Sequence, residues 1–76
     1  MRAPDWLADL VSTTRRRVRR MSVEDMGIWL DAAGSGMSKA FAEYVRDRDP
    51  AALAEFERGL AILVAMNQEV RDRQKV

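Results

Sequence analysis

Apolar side chains return every three or four residues along nearly the whole chain, the spacing of helices that each hide one face. In the first third, Leu7, Leu10, Val11, Thr14, Val18 and Met21 keep that rhythm, with Pro4 suited to an early helical position and Asp5 and Asp9 near the positive end of the helix dipole. This predicts a first helix over residues 4–21. Ser22 follows, a residue whose side-chain oxygen can take up the free amides of a new helix start. Beyond it, Met26, Leu30, Ala33, Met37, Ala40 and Tyr44 fall within about 40° of one direction at about 100° per residue. That phase passes unbroken through Gly34-Ser35-Gly36. A turn there would have reset it, so the pattern predicts one rod over residues 23–48, even though glycine costs a helix roughly 1 kcal/mol against alanine. Asp49-Pro50 marks the real turn, an Asp cap followed by a proline that cannot continue the preceding helix. A third helix over residues 50–73 carries Leu53, Phe56, Leu60, Leu63, Asn67 and Val70 in a heptad-like seam.

Links of one or two residues between such helices favour packing with sequence neighbours side by side. The expected fold is all-α: three antiparallel helices, up, down, up, in a single domain over residues 1–76. The second and third form a long hairpin, and the whole is expected to assemble as a helical-bundle dimer. A chain of 76 residues has only a marginal core of its own, which is why a partner would help.

Two features point to contact surfaces. Ile62 and Met66 project away from Leu53 and Leu60, with Gly59 one turn earlier, so the segment LAILVAM is apolar nearly all round. Gly59, Ile62 and Met66, together with Trp6, are the expected oligomer or partner interface. The competing reading is that the first helix covers one side of the third and the second helix the other, within one chain. Gly27 and Gly34, seven residues apart, lie on a strip with Phe41 and Val45, where a neighbouring backbone could approach closely; these four are the expected helix-packing set.

Composition narrows the chemistry. The sequence has neither cysteine nor histidine, which removes disulfides, the usual zinc ligands and the usual activated nucleophiles. The expectation is a protein that is not an enzyme, with no catalytic residues, no metal and no cofactor. Neighbouring acids such as Glu24-Asp25 and Glu55-Glu57 read as caps and solvated faces. The longest apolar run, residues 60–66, is far short of the roughly 20 residues a membrane span needs. MRAPDWLADL lacks the apolar core of a secretory signal, so a cytoplasmic location is expected. Thirteen cations and twelve acids leave a net charge of +1, so any basic surface must be local.

One such surface is TTRRRVRR. Arg15, Arg16, Arg17, Arg19 and Arg20 surround Val18, which stays on the apolar stripe while the arginines fan outward. They form a possible phosphate-binding set, for nucleic acid or an anionic membrane, or a helix C-terminus whose cations complement the dipole. In an up-down-up bundle they share a pole with Arg71, Arg73 and Lys75, and Glu24, Asp25, Glu69 and Asp72 offset them there. Trp6, Leu7 and Leu10 offer a further, membrane-surface reading of the first helix. A helix-turn-helix reading of DAAGSGMSK fails because the apolar phase is continuous.

Residues 22 to 70, notably SVEDMGIWLDAAGSGM, AFAEYVRDRDPAALAE and GLAILVAM, resemble small all-helical proteins of unassigned function from actinobacterial phages or prophages. The resemblance covers about two-thirds of the chain and leaves out the Arg15 to Arg20 run. It implies a phage-type accessory protein in a bacterial host and transfers no catalytic residue. The expected function is a helical protein-protein interaction module that homo-oligomerises or binds a host protein through the third helix. The alternative is a nucleic-acid-associated protein acting through the Arg15 to Arg20 pole.

Overall fold

The computed structural model describes residues 5 to 75, and among them the regular structure is helical: α1 (Asp5–Val18), α2 (Val23–Asp47) and α3 (Pro50–Arg73). The expected start of the first helix at Pro4 lies outside the described residues. α1 ends three residues earlier than the spacing predicts. After Val18 the backbone tightens, with the Arg20 and Met21 amides donating to the Arg17 and Val18 carbonyls at 3.2 and 3.0 Å, and Ser22 adopts an extended conformation. Its Oγ accepts from the Asp25 amide at 3.1 Å, which opens α2.

α2 runs 25 residues straight through Gly34, Ser35 and Gly36. It ends at Arg48, whose φ of 54° is left-handed and whose amide donates to the Tyr44 carbonyl at 2.7 Å. Asp49 then caps α3, its Oδ1 accepting from the Ala51 amide at 3.0 Å, with Pro50 in the first turn, where a missing N–H leaves nothing unpaired.

α3 is the central element. Both other helices pack against it, and α1 and α2 meet each other far less. At α1, Leu7, Ala8, Val11 and Ser12 line a groove with Val64 and Gln68. At α2, the Phe41 and Phe56 rings lie 5.2 Å apart near the turn, and Met26 and Leu30 share a groove with Leu63, Met66 and Val70 at the other end. α1, with 14 residues, flanks only the later part of α3. The result is a slab, 46 × 28 × 18 Å, with a radius of gyration of 13.3 Å, where a compact 76-residue domain has about 11 Å.

The packing surfaces are lined by small residues. Of the eight buried hydrophobic residues among those described, four are alanines: Ala40, Ala52, Ala61 and Ala65. The tightest approach is at Gly59, where a Cβ would stand 2.9 Å from Met37 Cβ and 3.1 Å from Met37 Cγ. Any larger residue at this crossing would have to displace Met37. Gly27 and Gly34, expected to admit a neighbouring backbone, do not: no atom outside their own helix backbone lies within 4 Å of where their Cβ would be. The reason is rotational position. α2 turns Met26, Met37 and Ala40 toward α3, which leaves the Gly27, Gly34, Phe41 and Val45 strip to the side; Phe41 and Val45 are 50% and 49% exposed.

The expected partner surface on α3 needs a corresponding correction. Because α1 and α2 cover different sides of α3, Gly59 is buried and Met66 is only 4% exposed, while Ile62 packs half-buried against the core of Val11, Val18, Met26, Ala61, Ala65 and Met66. The chain hides Gly59 and Met66 with its own helices and covers Ile62 in part. Trp6, by contrast, is 42% exposed on α1.

Glycine positions on the two faces should respond oppositely to alanine. Gly36→Ala, with open space around it, should raise stability by about 0.5–1 kcal/mol through helix propensity. Gly59→Ala should lower it by about 1 kcal/mol net, since overpacking costs about 1–3 kcal/mol and outweighs the propensity gain. Urea unfolding followed by helical circular dichroism checks both signs.

Candidate interaction surfaces

The arginine run of α1 does not form one uniform patch. Arg15 reaches across to α3, its Nη1 donating to Gln68 Oε1 at 2.9 Å and its Nη2 to Glu69 Oε1 at 3.2 Å and Asp72 Oδ2 at 2.7 Å. From the other side Arg73 Nε donates to Glu69 Oε2 at 2.9 Å, while its Nη2 donates to the carbonyls of Met21 at 2.9 Å and Val18 at 3.4 Å. Glu69, 8% exposed, is thus held between two guanidinium groups. Arg73 meanwhile satisfies the Met21 carbonyl just past the end of α1 and adds a longer second bond to the Val18 carbonyl, which already accepts from the Met21 amide. These charge-assisted bonds clamp the end of α1 onto the end of α3. Arg15 Nε is buried with no hydrogen-bond partner, which trims the net gain.

The clamp shifts the groups that make it. The Arg73 hydrogen bond, and after it the Arg15 bond and the charges of both, holds the Glu69 carboxyl below the ordinary carboxylate range against an opposing effect of burial. The Arg15 hydrogen bond does the same for Asp72, and in return Asp72 and Glu69 raise the Arg15 guanidinium further.

Arg17 is also engaged: its guanidinium lies 4.6 Å from the centre of the Trp29 ring, a cation–π contact from α1 to α2. Of the five expected phosphate-binding residues, Arg15 and Arg17 therefore hold the fold together. Arg16, Arg19 and Arg20 are exposed and form no ion pair among the described residues. Arg16 and Arg19 border a small groove of about 280 Å³ with Ser12, Arg15 and Gln68. At the same pole Lys75 stands 3.8 Å from Asp72, so acids and cations interleave there.

The second surface lies on the other side of the slab. Val23, Gly27, Leu30, Gly34, Phe41 and Val45 fall within about 60° of one another on α2 at about 100° per residue. The α3 seam of Leu53, Phe56, Leu60, Leu63, Asn67 and Val70 adjoins them. Its leucines and Phe56 are only half-buried, and Asn67 and Val70 are exposed. Between the helices runs an open groove of about 430 Å³ lined by Val23, Met26, Gly27, Leu30, Leu63, Met66, Asn67 and Val70, without a charged side chain. Among the described residues the exposed large hydrophobic ones are Trp6, Leu10, Val23, Ile28, Leu30, Phe41, Val45 and Val70, and five of them stand on this face. The face comprises the α2 strip expected to pack internally and the α3 seam expected to be core. The signal that could have located it was the breadth of the α3 pattern: residues apolar on more than one side must leave some side uncovered once two helices are docked.

Other chemistry is sparse. Among the described residues no group of three or more acids is placed to hold a metal ion, and no helix is long and apolar enough to cross a membrane.

Acid should loosen the clamp. Because the Glu69 and Asp72 carboxyls titrate lower in the fold than in the unfolded chain, their stabilisation is fully present above the ordinary carboxylate values and disappears as pH falls through the depressed ones, below about pH 4. Glu69→Gln should lower the urea midpoint at neutral pH, and the difference from wild type should shrink steadily on acidification toward pH 3. A gap that stays constant with pH would contradict the ionic role.

Comparison of the chain with protein-family models, with curated proteins and with solved structures finds no match.

Proposed function

We propose that this chain is a non-enzymatic helical protein-protein interaction module that works through the outer face of α2 and α3. The observation that carries this reading is the concentration of five large exposed apolar residues, Val23, Leu30, Phe41, Val45 and Val70, on one side of the slab, three of which, Val23, Leu30 and Val70, line an uncharged groove. Scattered surface apolar residues are ordinary, but a contiguous patch of them marks a place where something binds. The order of contacts along α2 and α3 supports an antiparallel hairpin, with α1 returning alongside α3, so that both long helices present the face along their full length.

The clamp supports the same reading from the opposite side. It pins α1 away from the groove, leaving the groove free for a partner. A phage-type accessory role in the cytoplasm of a bacterial host accords with the resemblance of residues 22 to 70. The alternative, nucleic-acid binding at the Arg15 to Arg20 pole, draws on the groove beside Arg16 and Arg19. It ranks second because Arg15 and Arg17 are already spent on Glu69, Asp72 and Trp29.

Photo-crosslinking in the producing cell tests the face directly. A photoreactive residue at position 30 or 45 should give adducts of defined mass, and one at Lys39, exposed on another side of α2, should give none. Adducts from position 39 alone, or from no position, would contradict the assignment. For the alternative, titration with duplex DNA at low and high salt should show no binding that Arg16→Ala together with Arg19→Ala weakens.

A further inference from the structure

Resting on the interaction reading above, we infer that the occupant of the α2/α3 face is a second copy of this chain, the two copies joining these faces to make a four-helix core from two hairpins. The area is the first reason. A compact monomer of 8.7 kDa exposes about 4,700 Å², whereas this chain exposes 5770 Å². The excess of about 1,000 Å² is close to the roughly 800 Å² that each partner contributes to a standard protein interface. The flat slab and its large radius of gyration give the same result in length rather than area: the chain has the shape of half of something thicker.

Charge complementarity is the second. A face meeting its own copy across a two-fold axis must not bring like charges together. This one satisfies that condition along its groove, which no acid or base lines. A partner recognised by charge would call for charged side chains here.

The pattern along α3 is the third. Leu53, Leu60 and Asn67 repeat at seven residues, flanked by Phe56, Leu63 and Val70, which is the spacing by which helices interlock side chains with another helix pair. Within the chain this seam is only half covered. On α2, Gly27 and Gly34 leave space where a Cβ would meet no neighbour, a shallow channel into which side chains of a second copy can enter. Asn67, exposed in an otherwise apolar seam, is the kind of polar residue that fixes register between helices.

Sedimentation of the full chain over a range of micromolar concentrations tests the inference. The expected result is a species of twice the 8.7 kDa chain mass. Leu30→Lys and Val45→Lys, at side chains 41% and 49% exposed, should each keep full helical circular dichroism and raise the dissociation constant at least tenfold. Ile28→Lys, off the face and 70% exposed, should leave it unchanged. A wild-type chain that stays monomeric would overturn the inference, as would a dimer indifferent to both Leu30→Lys and Val45→Lys. A monomer that still crosslinks from position 30 to a different protein would overturn the second copy and leave the interaction reading standing. A monomer that partitions into phosphatidylglycerol vesicles through Leu30 and Val45 would make the occupant a membrane surface and overturn both.

Discussion

The crossing of α2 and α3 at Gly59 sets the rest of the structure. Met37 Cβ stands 2.9 Å from where a side chain on residue 59 would begin, so the two longest helices come together over small residues. Close approach of this kind gains many weak contacts per unit length, but it buries alanine and glycine rather than leucine and phenylalanine. The large side chains of both helices are displaced to the margins of the contact. On one margin α1 covers them: Val11 and Val18 close a core over Ala61, Ala65 and Met66, and Trp29 packs at its edge beneath Arg17. On the other margin nothing among the described residues does. The exposed face is thus a consequence of how α2 and α3 pack.

The ionic clamp decides which margin is covered. α1 is short and carries only two buried residues, Val11 and Val18, so apolar burial alone secures it weakly. Arg15 and Arg73, working in opposite directions across Glu69, add a directional lock at the common end of α1 and α3. A buried carboxylate between two guanidinium groups is costly to desolvate and costlier to leave half-paired. The lock therefore specifies one position for α1 more than it adds net stability. An arginine run that reads as a binding surface is, at two of its five positions, part of the scaffold.

Much of this was legible in the residues. The unbroken phase from Met26 to Tyr44 gave α2 as one rod across Gly34-Ser35-Gly36, and the Ser22 and Asp49-Pro50 signals placed the turns to within a residue or two at most boundaries, α1's end excepted. Those features are local, set by side-chain spacing and capping chemistry. What spacing could not supply was rotation. Gly27, Gly34 and Gly59 look equivalent in a helical pattern, yet only Gly59 faces a neighbour, because the choice depends on how two rods turn about their axes once docked. The same ambiguity placed Gly59, Ile62 and Met66 outside and the Leu53 to Val70 seam inside, when the seam is the less covered of the two. Arg15 could have been picked out of its run, since Glu69 and Asp72 stand one turn apart on α3 at the pole where α1 was expected to end.

Hydroxyl-radical footprinting read by mass spectrometry, with each residue normalised to its intrinsic reactivity, tests the inside-out arrangement of α2 and α3 most directly. In dilute solution the account predicts strong labelling of Leu30, Phe41 and Val45 with protection of Met26 and Met66. On concentration, the first three should become protected while the methionines stay unchanged. Labelling of Met66 as readily as Leu30, or protection of Phe41 and Val45 at every dilution, would contradict it.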